Sequence, residues 1–277
     1  MKVLRYIFIA LSLTAVAALA LGGSACTFAK KVIAKDKLNQ GALAYNRGQT
    51  ERAAQLFKDT TELIPDSPNA WLYYGAVLRK EYMSMSGDER KKKADAALVA
   101  YNKALDLSQN DCKLKDNAMG YIATIYDELG DEEKHREWLL KRVEGNDCAD
   151  KTTKAVTYYS IAHQYWTCAY TQSTRYADKT KTADPFHVRN FYYEPDKLKF
   201  DDCLEKGFEY IEKTLKVDPE YADAMSYKSL LFRERQKSTK NEAERKKYEQ
   251  EAEAIAKQAM ELMNQQKEKA AAKAPQG

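Results

Sequence analysis

Residues that break helices are scarce in this sequence. Its 277 residues include 11 glycines and 6 prolines, whereas alanine, lysine, glutamate and leucine are abundant. Such a composition favours helix throughout the chain. The length is sufficient either for one large core or for an elongated array of repeated units.

Signs of nucleic-acid binding and of catalysis are also missing. A formal net charge of +4 beside 31% charged residues argues against dedicated nucleic-acid binding, which needs a dense basic face. The sequence has no glycine-rich phosphate loop and no G-x-S-x-G motif, and its carboxylates follow solvated helix faces. We therefore predict a protein that is not an enzyme and that needs no cofactor.

The histidines do not indicate a metal centre. His135, His163 and His187 contain no spaced ligand pair on one helix and no H-E-x-x-H motif. Cys168 and Cys203 together with His187 would supply three zinc ligands, but a disulfide between the two cysteines is favoured in an exported chain. The sequence therefore predicts no metal site.

The segment 1–25 is predicted to direct export. Lys2 and Arg5 precede an apolar run at 7–21, and small residues follow it. Four cysteines remain beyond residue 26, an even number that suits disulfide formation in an oxidising compartment.

The end of this segment, LGGSAC, resembles the lipobox of bacterial lipoproteins. Gly23 stands where leucine is usual, and the resemblance implies that Cys26 is lipidated. Cleavage nearby without lipidation and an uncleaved membrane anchor are the alternatives. All three place the chain after about residue 30 outside the cytoplasm, on the periplasmic side of a bacterial envelope membrane.

Small, aromatic and proline residues recur at fixed intervals after the export segment. Gly41 and Gly75 lie one 34-residue interval apart, Trp71 begins a W-x2-x-G pattern, and Ala53-x3-Phe57 and Pro65 come between. This pattern resembles the tetratricopeptide repeat, a pair of antiparallel helices called A and B. In that arrangement a small residue of helix A, Gly41 or Gly75, is expected to face a small residue of helix B, Ala53. Pro65 is then the end of one pair.

The resemblance predicts an all-α fold, a right-handed α-solenoid of about five helical hairpins over residues 34–265. The hairpins of the second and fifth copies are lengthened, the fourth copy carries an insertion at 169–200, and residues 266–277 are assigned to a flexible tail. Repeat phase places Cys168 and Cys203 as near neighbours at the base of the insertion, which predicts a disulfide between them. Cys112 and Cys148 are left as the second predicted pair.

In tetratricopeptide repeat proteins, helix A residues line a concave groove. The resemblance therefore implies partner-binding residues at Tyr45, Asn46, Leu72, Arg79, Asp127, Tyr159, His163, Trp166, Leu230 and Arg233. The clamp with which chaperone-binding members hold a carboxylate is missing, because Leu38, Ala42 and Tyr73 occupy the matching positions. Aromatic residues with scattered charges suit an extended peptide or a helix better.

The insertion at 169–200 is rich in aromatic and basic residues, and its HVRNFYY stretch is a candidate short strand. Its side chains either contact a partner or pack back on the chain's own helices, and we favour packing. The candidate contact residues are Phe186, Arg189, Phe191, Tyr192 and Tyr193.

Three functional hypotheses follow. The first is a scaffold anchored in the cell envelope that binds a protein or peptide partner in its groove. The second is a glycan- or cell-wall-contacting envelope protein that uses the insertion. The third is a structural subunit of an outer-membrane assembly complex. The sequence does not identify the partner, because repeat residues mostly encode packing.

Overall fold

The computed structural model describes residues 27–108, 111–145, 148–177 and 188–273. These residues form ten α-helices and no β-strand, so the predicted all-α fold class is confirmed. In chain order the helices are α1 (27–46), α2 (Thr50–Leu63), α3 (Pro68–Tyr82), α4 (Gly87–Leu107), α5 (Cys112–Glu128), α6 (Glu132–Val143), α7 (Lys151–Arg175), α8 (Glu194–Val217), α9 (Ala222–Ser238) and α10 (Glu242–Lys273). None of these helices is both long enough and apolar enough to span a membrane.

The helices form successive hairpins, and the chain divides into two compact units between Arg142 and Val143. In the N-terminal unit, α3 packs on α4. Helix α3 also contacts α2 of the preceding hairpin, and α4 also contacts α5 of the next hairpin. In the C-terminal unit, α7 packs on α8 and α9 packs on α10, while α9 also contacts α7 and α8. Helix pairs in this order are the arrangement that the repeat pattern predicts.

Local sequence sets the helix boundaries. Asp111 and Asp150 begin α5 and α7, because each side chain accepts a hydrogen bond from the backbone N–H three residues later, at 3.0 Å and 2.7 Å. Gly48 and Gly130 adopt a positive φ of 74° in the turns after α1 and α5. This left-handed conformation suits glycine at a helix end, and it marks the same point in the first and third hairpins.

Each of the first two hairpins is closed by a glycine that lies against an aromatic ring. A Cβ atom on Gly41 would lie 2.6 Å from Phe57, and one on Gly75 would lie 2.7 Å from Tyr101. The rings are 2% and 0% exposed, so they have no free space into which to move. Glycine is therefore required wherever helix A passes over the ring of helix B.

We expected a small residue of helix B to lie nearest to these glycines, but the nearest atoms belong to aromatic rings. Ala53 is fully buried, but the atoms nearest to Gly41 belong to the ring of Phe57. The A-x3-F pattern thus supplies both the alanine and the ring, and the ring makes the close contact with the glycine.

The join between the first two hairpins is held by Trp71. Its indole Nε1 donates a hydrogen bond of 2.9 Å to the carbonyl oxygen of Pro65, in the turn before α3. Ser67 caps α3 by accepting a hydrogen bond from the backbone N–H of Ala70, and Pro68 occupies the first helical turn. Proline and tryptophan in this register therefore fix where one hairpin ends and the next begins.

Lengthened hairpins occur in the second and fifth copies. The extra residues of the second copy form the turn at 83–86 and additional turns of α4, which has 21 residues against 14 in α2. In the fifth copy α10 has 32 residues and continues to Lys273, through most of the segment that the sequence analysis assigned to a flexible tail. Gln266 in that segment donates a hydrogen bond of 2.9 Å to the carbonyl oxygen of Glu220.

Replacing Gly75 by alanine should destabilise the protein, whereas the same change at Gly120 should not. The new Cβ atom at Gly75 overlaps the buried ring of Tyr101, which we expect to cost about 1–3 kcal/mol. At Gly120, which lies within α5, the new Cβ atom would be 3.4 Å from the guanidinium carbon of Arg142, an ordinary contact. Because alanine lowers the conformational entropy of the unfolded chain, this variant should be more stable by about 0.4–1 kcal/mol.

Urea unfolding of the two variants tests this pair. Equal changes in the free energy of unfolding at Gly75 and Gly120 would contradict the ring contact.

Candidate partner-binding site

Four of the side chains on α7 form one stripe along the helix. Tyr159, His163, Trp166 and Tyr170 are spaced by four, three and four residues, which places them on a single side of the helix. The ring of Trp166 stacks on that of Tyr170 with centroids 5.3 Å apart, and the centroid of His163 lies 6.1 Å from that of Trp166.

Tyr227 of α9 joins this stripe from the neighbouring helix. Its ring makes edge-to-face contacts with Tyr159, His163 and Trp166, at centroid distances of 5.5, 4.9 and 5.1 Å. Such geometry is the favoured arrangement of aromatic pairs. We call these five residues, Tyr159, His163, Trp166, Tyr170 and Tyr227, the aromatic face.

The aromatic face is open to solvent on one side. His163 is exposed and Tyr170 is 43% exposed, while Tyr159, Trp166 and Tyr227 are half-buried. Burial raises the pKa of Tyr159 and of Tyr227, so both phenols stay neutral at physiological pH. The exposed faces of these rings are suited to binding apolar groups, while the hydroxyl group of Tyr170 can form hydrogen bonds.

A polar cluster closes the end of the aromatic face at Tyr170. The ammonium of Lys237 lies 5.7 Å from the centroid of the Tyr170 ring and 2.7 Å from a carboxylate oxygen of Glu234. Ser173 donates a hydrogen bond of 2.6 Å to the other oxygen of Glu234, which is 2% exposed. These contacts fix α7 against α9 and hold the rings in position.

The described part of the insertion lies beside this polar cluster. Residues 188–193 contain no strand, so the strand expected in HVRNFYY is wrong for the residues that the structure describes. The backbone N–H of Arg189 donates a hydrogen bond of 2.6 Å to the carbonyl oxygen of Lys237. Phe186, a predicted contact residue, lies outside the described residues.

Aromatic residues of the insertion divide into two groups. The ring of Phe191 lies 4.7 Å from that of Tyr176 and 5.0 Å from that of the buried Phe200, so this part packs back on α7 and α8. Tyr192 and Tyr193 are 87% and 60% exposed. The insertion therefore contributes to the core and also presents two tyrosines to solvent.

The predicted disulfide between Cys168 and Cys203 is present and joins α7 to α8, with Cα atoms 5.9 Å apart. Its sulfur atoms are therefore not free to bind zinc, and the described residues contain no cluster of three metal-binding side chains. Cys112 and Cys148 are each disulfide-bonded as well. The pairing of Cys112 with Cys148 stays a prediction, which peptide mapping without reduction can test.

Leu72 and Arg79, predicted groove residues of the N-terminal unit, have contacts within that unit. Leu72 is 7% exposed and belongs to a core cluster with Tyr101 and Ile122, so it offers little surface to a partner. The Arg79 guanidinium is hydrogen-bonded to both carboxylate oxygens of Glu128, which lies 49 residues later on α5. This ion pair connects α3 to α5, the helices A of two neighbouring hairpins.

Tyr82 and Arg90 extend this ion pair into a network around Glu128. The Tyr82 hydroxyl donates to the carboxylate, and the Arg90 guanidinium donates a hydrogen bond of 2.9 Å to the backbone carbonyl of Glu128. Burial raises the pKa of Glu128, but hydrogen bonds from Arg79 and Tyr82 outweigh that effect and hold the pKa below its usual range. Glu128 is therefore a carboxylate at physiological pH.

The remaining predicted residues belong to α1, α5 and α9. Tyr45 lies under the ammonium of Lys80, at 4.5 Å, and Asn46 next to it is exposed. Asp127 is exposed and lies 3.2 Å from Nδ1 of His135. Leu230 and Arg233 are half-buried on α9, three and six residues after Tyr227.

Tyr227 was not among the predicted groove residues, and Tyr170 fell within the predicted insertion. The helical spacing from Tyr159 to Tyr170 was a usable signal, because α7 continues through the first residues of the predicted insertion to Arg175. No signal within the sequence indicated Tyr227, since its role depends on how α9 packs against α7.

No protein-family model matches the sequence, and no curated protein matches it. Solved structures with a similar fold include a MamA protein, 15% identical, with a TM-score of 0.50 over 85% of this chain and 94% of that one. MamA 41-end from Desulfovibrio magneticus RS-1 is 17% identical, with a TM-score of 0.47 over 84% of this chain and 97% of that one. YrrB, described as a TPR protein with an unusual peptide-binding site, is 15% identical, with a TM-score of 0.43 over 83% and 90%.

Removing the Cys168–Cys203 disulfide should destabilise the protein. The two cysteines are 35 residues apart, and the chain-entropy model for a loop of that length gives about 3–4 kcal/mol. We expect the double variant Cys168→Ser, Cys203→Ser to lose that amount in urea unfolding without reductant. Unchanged stability in the double variant would contradict a closed loop in the native protein.

Glu128 should make stability depend on pH. Because its pKa is lower in the folded state, the stabilisation is complete above the ordinary glutamate value of 4.5 and is lost as the pH falls through the folded-state value. The free-energy difference between wild type and Glu128→Gln should therefore be constant from about pH 7 to pH 5 and should shrink below pH 4.5.

Urea unfolding of both proteins across that pH range measures the difference and cancels the acid sensitivity that they share. A difference that does not change with pH would contradict the carboxylate network.

Proposed function

The described helices have the tetratricopeptide repeat fold, and from that premise we propose that this protein is a scaffold that binds a segment of a partner protein on its aromatic face. The observation that carries the proposal is the row of half-exposed rings formed by α7 and α9. In this fold such a row lies on helices A of neighbouring hairpins, which are the helices that line the groove.

Aromatic side chains held in fixed positions favour recognition. They lose little conformational entropy on binding and bury a large area, which is why tyrosine and tryptophan are enriched among residues that dominate binding energy. The rings of the aromatic face are immobilised by one another and by the polar cluster at Glu234. A partner would therefore meet a surface that is already organised.

The length of the face limits what it can bind. Tyr159 and Tyr170 are 11 residues apart on one helix, which corresponds to about 16 Å at a rise of 1.5 Å per residue. That length accommodates about five residues of an extended peptide or three turns of a helix. We propose a short segment with apolar side chains, because four of the five rings belong to tyrosine and tryptophan.

The disulfide bonds support an exported location for this scaffold, and they do not identify which envelope membrane it is attached to. Four cysteines beyond Cys26 are all in disulfide bonds, as expected in an oxidising compartment. We propose that residues 1–25 direct export and that Cys26 carries the lipid anchor; both lie outside the described residues. The intact mass of the mature protein distinguishes lipidation from simple cleavage or an uncleaved leader.

Substitution of exposed face residues separates binding from folding. His163 and Tyr170 are the two exposed members, so His163→Ala with Tyr170→Ala should leave the melting temperature nearly unchanged and weaken partner binding by about tenfold or more. Trp166→Ala is less suitable, because Trp166 packs on three other rings and its loss should also destabilise the unit.

Capture from detergent-solubilised envelope, followed by affinity measurement with the purified partner, tests the proposal. The matched control is Tyr121→Ala, which removes an aromatic ring, 38% exposed, from α5 instead. The aromatic face is the binding site if the double variant loses a partner that the control retains. Equal retention by both variants would exclude it.

Glycan binding by the insertion is a second candidate, favoured by the exposure of Tyr192 and Tyr193. Adjacent exposed rings are suited to stacking on sugars as well as on side chains. The variant Tyr192→Ala with Tyr193→Ala, included in the same capture experiment, distinguishes the two candidates. Loss of a glycan with retention of protein partners would favour the insertion.

A further inference from the structure

The first two turns of α1 carry an apolar surface that faces away from the fold. Phe28, Val32 and Ile33 are 71%, 54% and 49% exposed, and Ala29 beside them is also exposed. The packed side of α1 is formed by Ala34, which is fully buried, and by residues one and two turns later. Val32 lies about 200° around the helix from Ala34, on the opposite side. We call Phe28, Ala29, Val32 and Ile33 the α1 patch.

Lysines flank the α1 patch on both sides. Successive residues are about 100° apart around the helix. Lys31 and Lys35 therefore lie along one edge of the patch, and Lys30 lies along the opposite edge, each between the patch and the packed side. All three are exposed. The patch ends at Asp36, whose carboxylate accepts a hydrogen bond of 2.7 Å from the side chain of Gln40 on the same helix.

An apolar stripe flanked by lysines is the pattern of a helix that lies in the interface of a membrane. The lysines contribute attraction to anionic headgroups, while apolar side chains enter the boundary of the acyl chains. The patch is also close in sequence to the most apolar part of the chain, since Phe28 lies two residues after Cys26 and seven residues after the run at 7–21.

The size of the patch argues against a second copy of this chain as its occupant. Four side chains on two turns present far less than the roughly 800 Å² per partner that a standard protein interface buries. A short surface is sufficient beside a membrane anchor, because the anchor already holds it at the bilayer.

We propose that the α1 patch lies on the surface of a bilayer that contains anionic lipid, with Phe28 and Val32 in the interface and Lys30, Lys31 and Lys35 among the headgroups. The proposal rests on the proposed membrane attachment and adds a second contact to it. The contact sets α1 parallel to the membrane, so that the first hairpin lies against the bilayer rather than at the end of a free linker.

A fluorescent amino acid placed at position 32 or at position 99 of the full chain tests the contact. Val99 is the matched control, because it is also an exposed valine but lies on α4, in the second hairpin. The protein is reconstituted in vesicles of phosphatidylcholine with phosphatidylglycerol, or of phosphatidylcholine alone, with brominated lipid as the quencher. Circular dichroism shows whether each variant is folded.

Quenching at position 32 should exceed quenching at position 99 several-fold on the anionic vesicles. The variant Lys30→Gln, Lys31→Gln, Lys35→Gln should reduce the quenching at position 32, because each lysine near an anionic surface contributes about fivefold to binding. On phosphatidylcholine alone, the triple variant and the wild type should behave alike.

Equal quenching at the two positions in vesicle-bound protein would overturn the patch contact and leave the anchor intact. Protein that does not associate with vesicles would overturn the contact and the proposed attachment together. An emission shift at position 32 that depends on protein concentration without vesicles would overturn the proposal in favour of a second copy.

Discussion

Contact between a glycine and a buried ring determines how closely the helices of the first two hairpins approach. Gly41 lies against Phe57, and Gly75 lies against Tyr101, with no space for even one more carbon atom. Gly41 and Phe57 are 16 residues apart in the sequence, and Gly75 and Tyr101 are 26 apart. The same contact therefore forms although the second hairpin has ten more residues between the glycine and the ring. The added residues lengthen α4 and its turn without changing the position of the ring. Helix α3 also packs on α2 and contacts α5. The glycine contacts fix the distance between the two helices of each of these hairpins, and the hairpins stack with that distance set.

The stacking of one hairpin on the next determines where the aromatic face lies. Because α9 packs against α7 as well as against its own partner α10, side chains from two hairpins meet along one side of α7. Tyr227 reaches three rings of α7 in this way. The buried Glu234, which accepts hydrogen bonds from Ser173 and Lys237, stabilises the same pair of helices. Packing and the candidate site are thus produced by the same helix contact, which is why the half-buried Trp166 is not a purely functional residue.

The sequence predicts those features that depend on contacts within one hairpin. Gly75, Trp71 and Pro65 identify the register, and that register correctly places Cys168 beside Cys203. Contacts between hairpins were harder to predict. The hydrogen bonds from Arg79 to Glu128 are one example, because nothing in the repeat of Arg79 indicates a partner 49 residues away. The burial of Leu72 is another, since it depends on the neighbouring hairpins.

The disulfide at the base of the insertion has a topological consequence. Cys168 and Cys203 turn residues 168–203 into a covalent ring, which contains the end of α7, the start of α8 and the connection between them. A protease that cuts the backbone once anywhere inside that ring leaves the molecule as a single covalent piece, and α7 remains attached to α8. The same cut in reduced protein separates the chain into two fragments. The connection between α7 and α8 can therefore be cleaved while the two helices stay covalently joined.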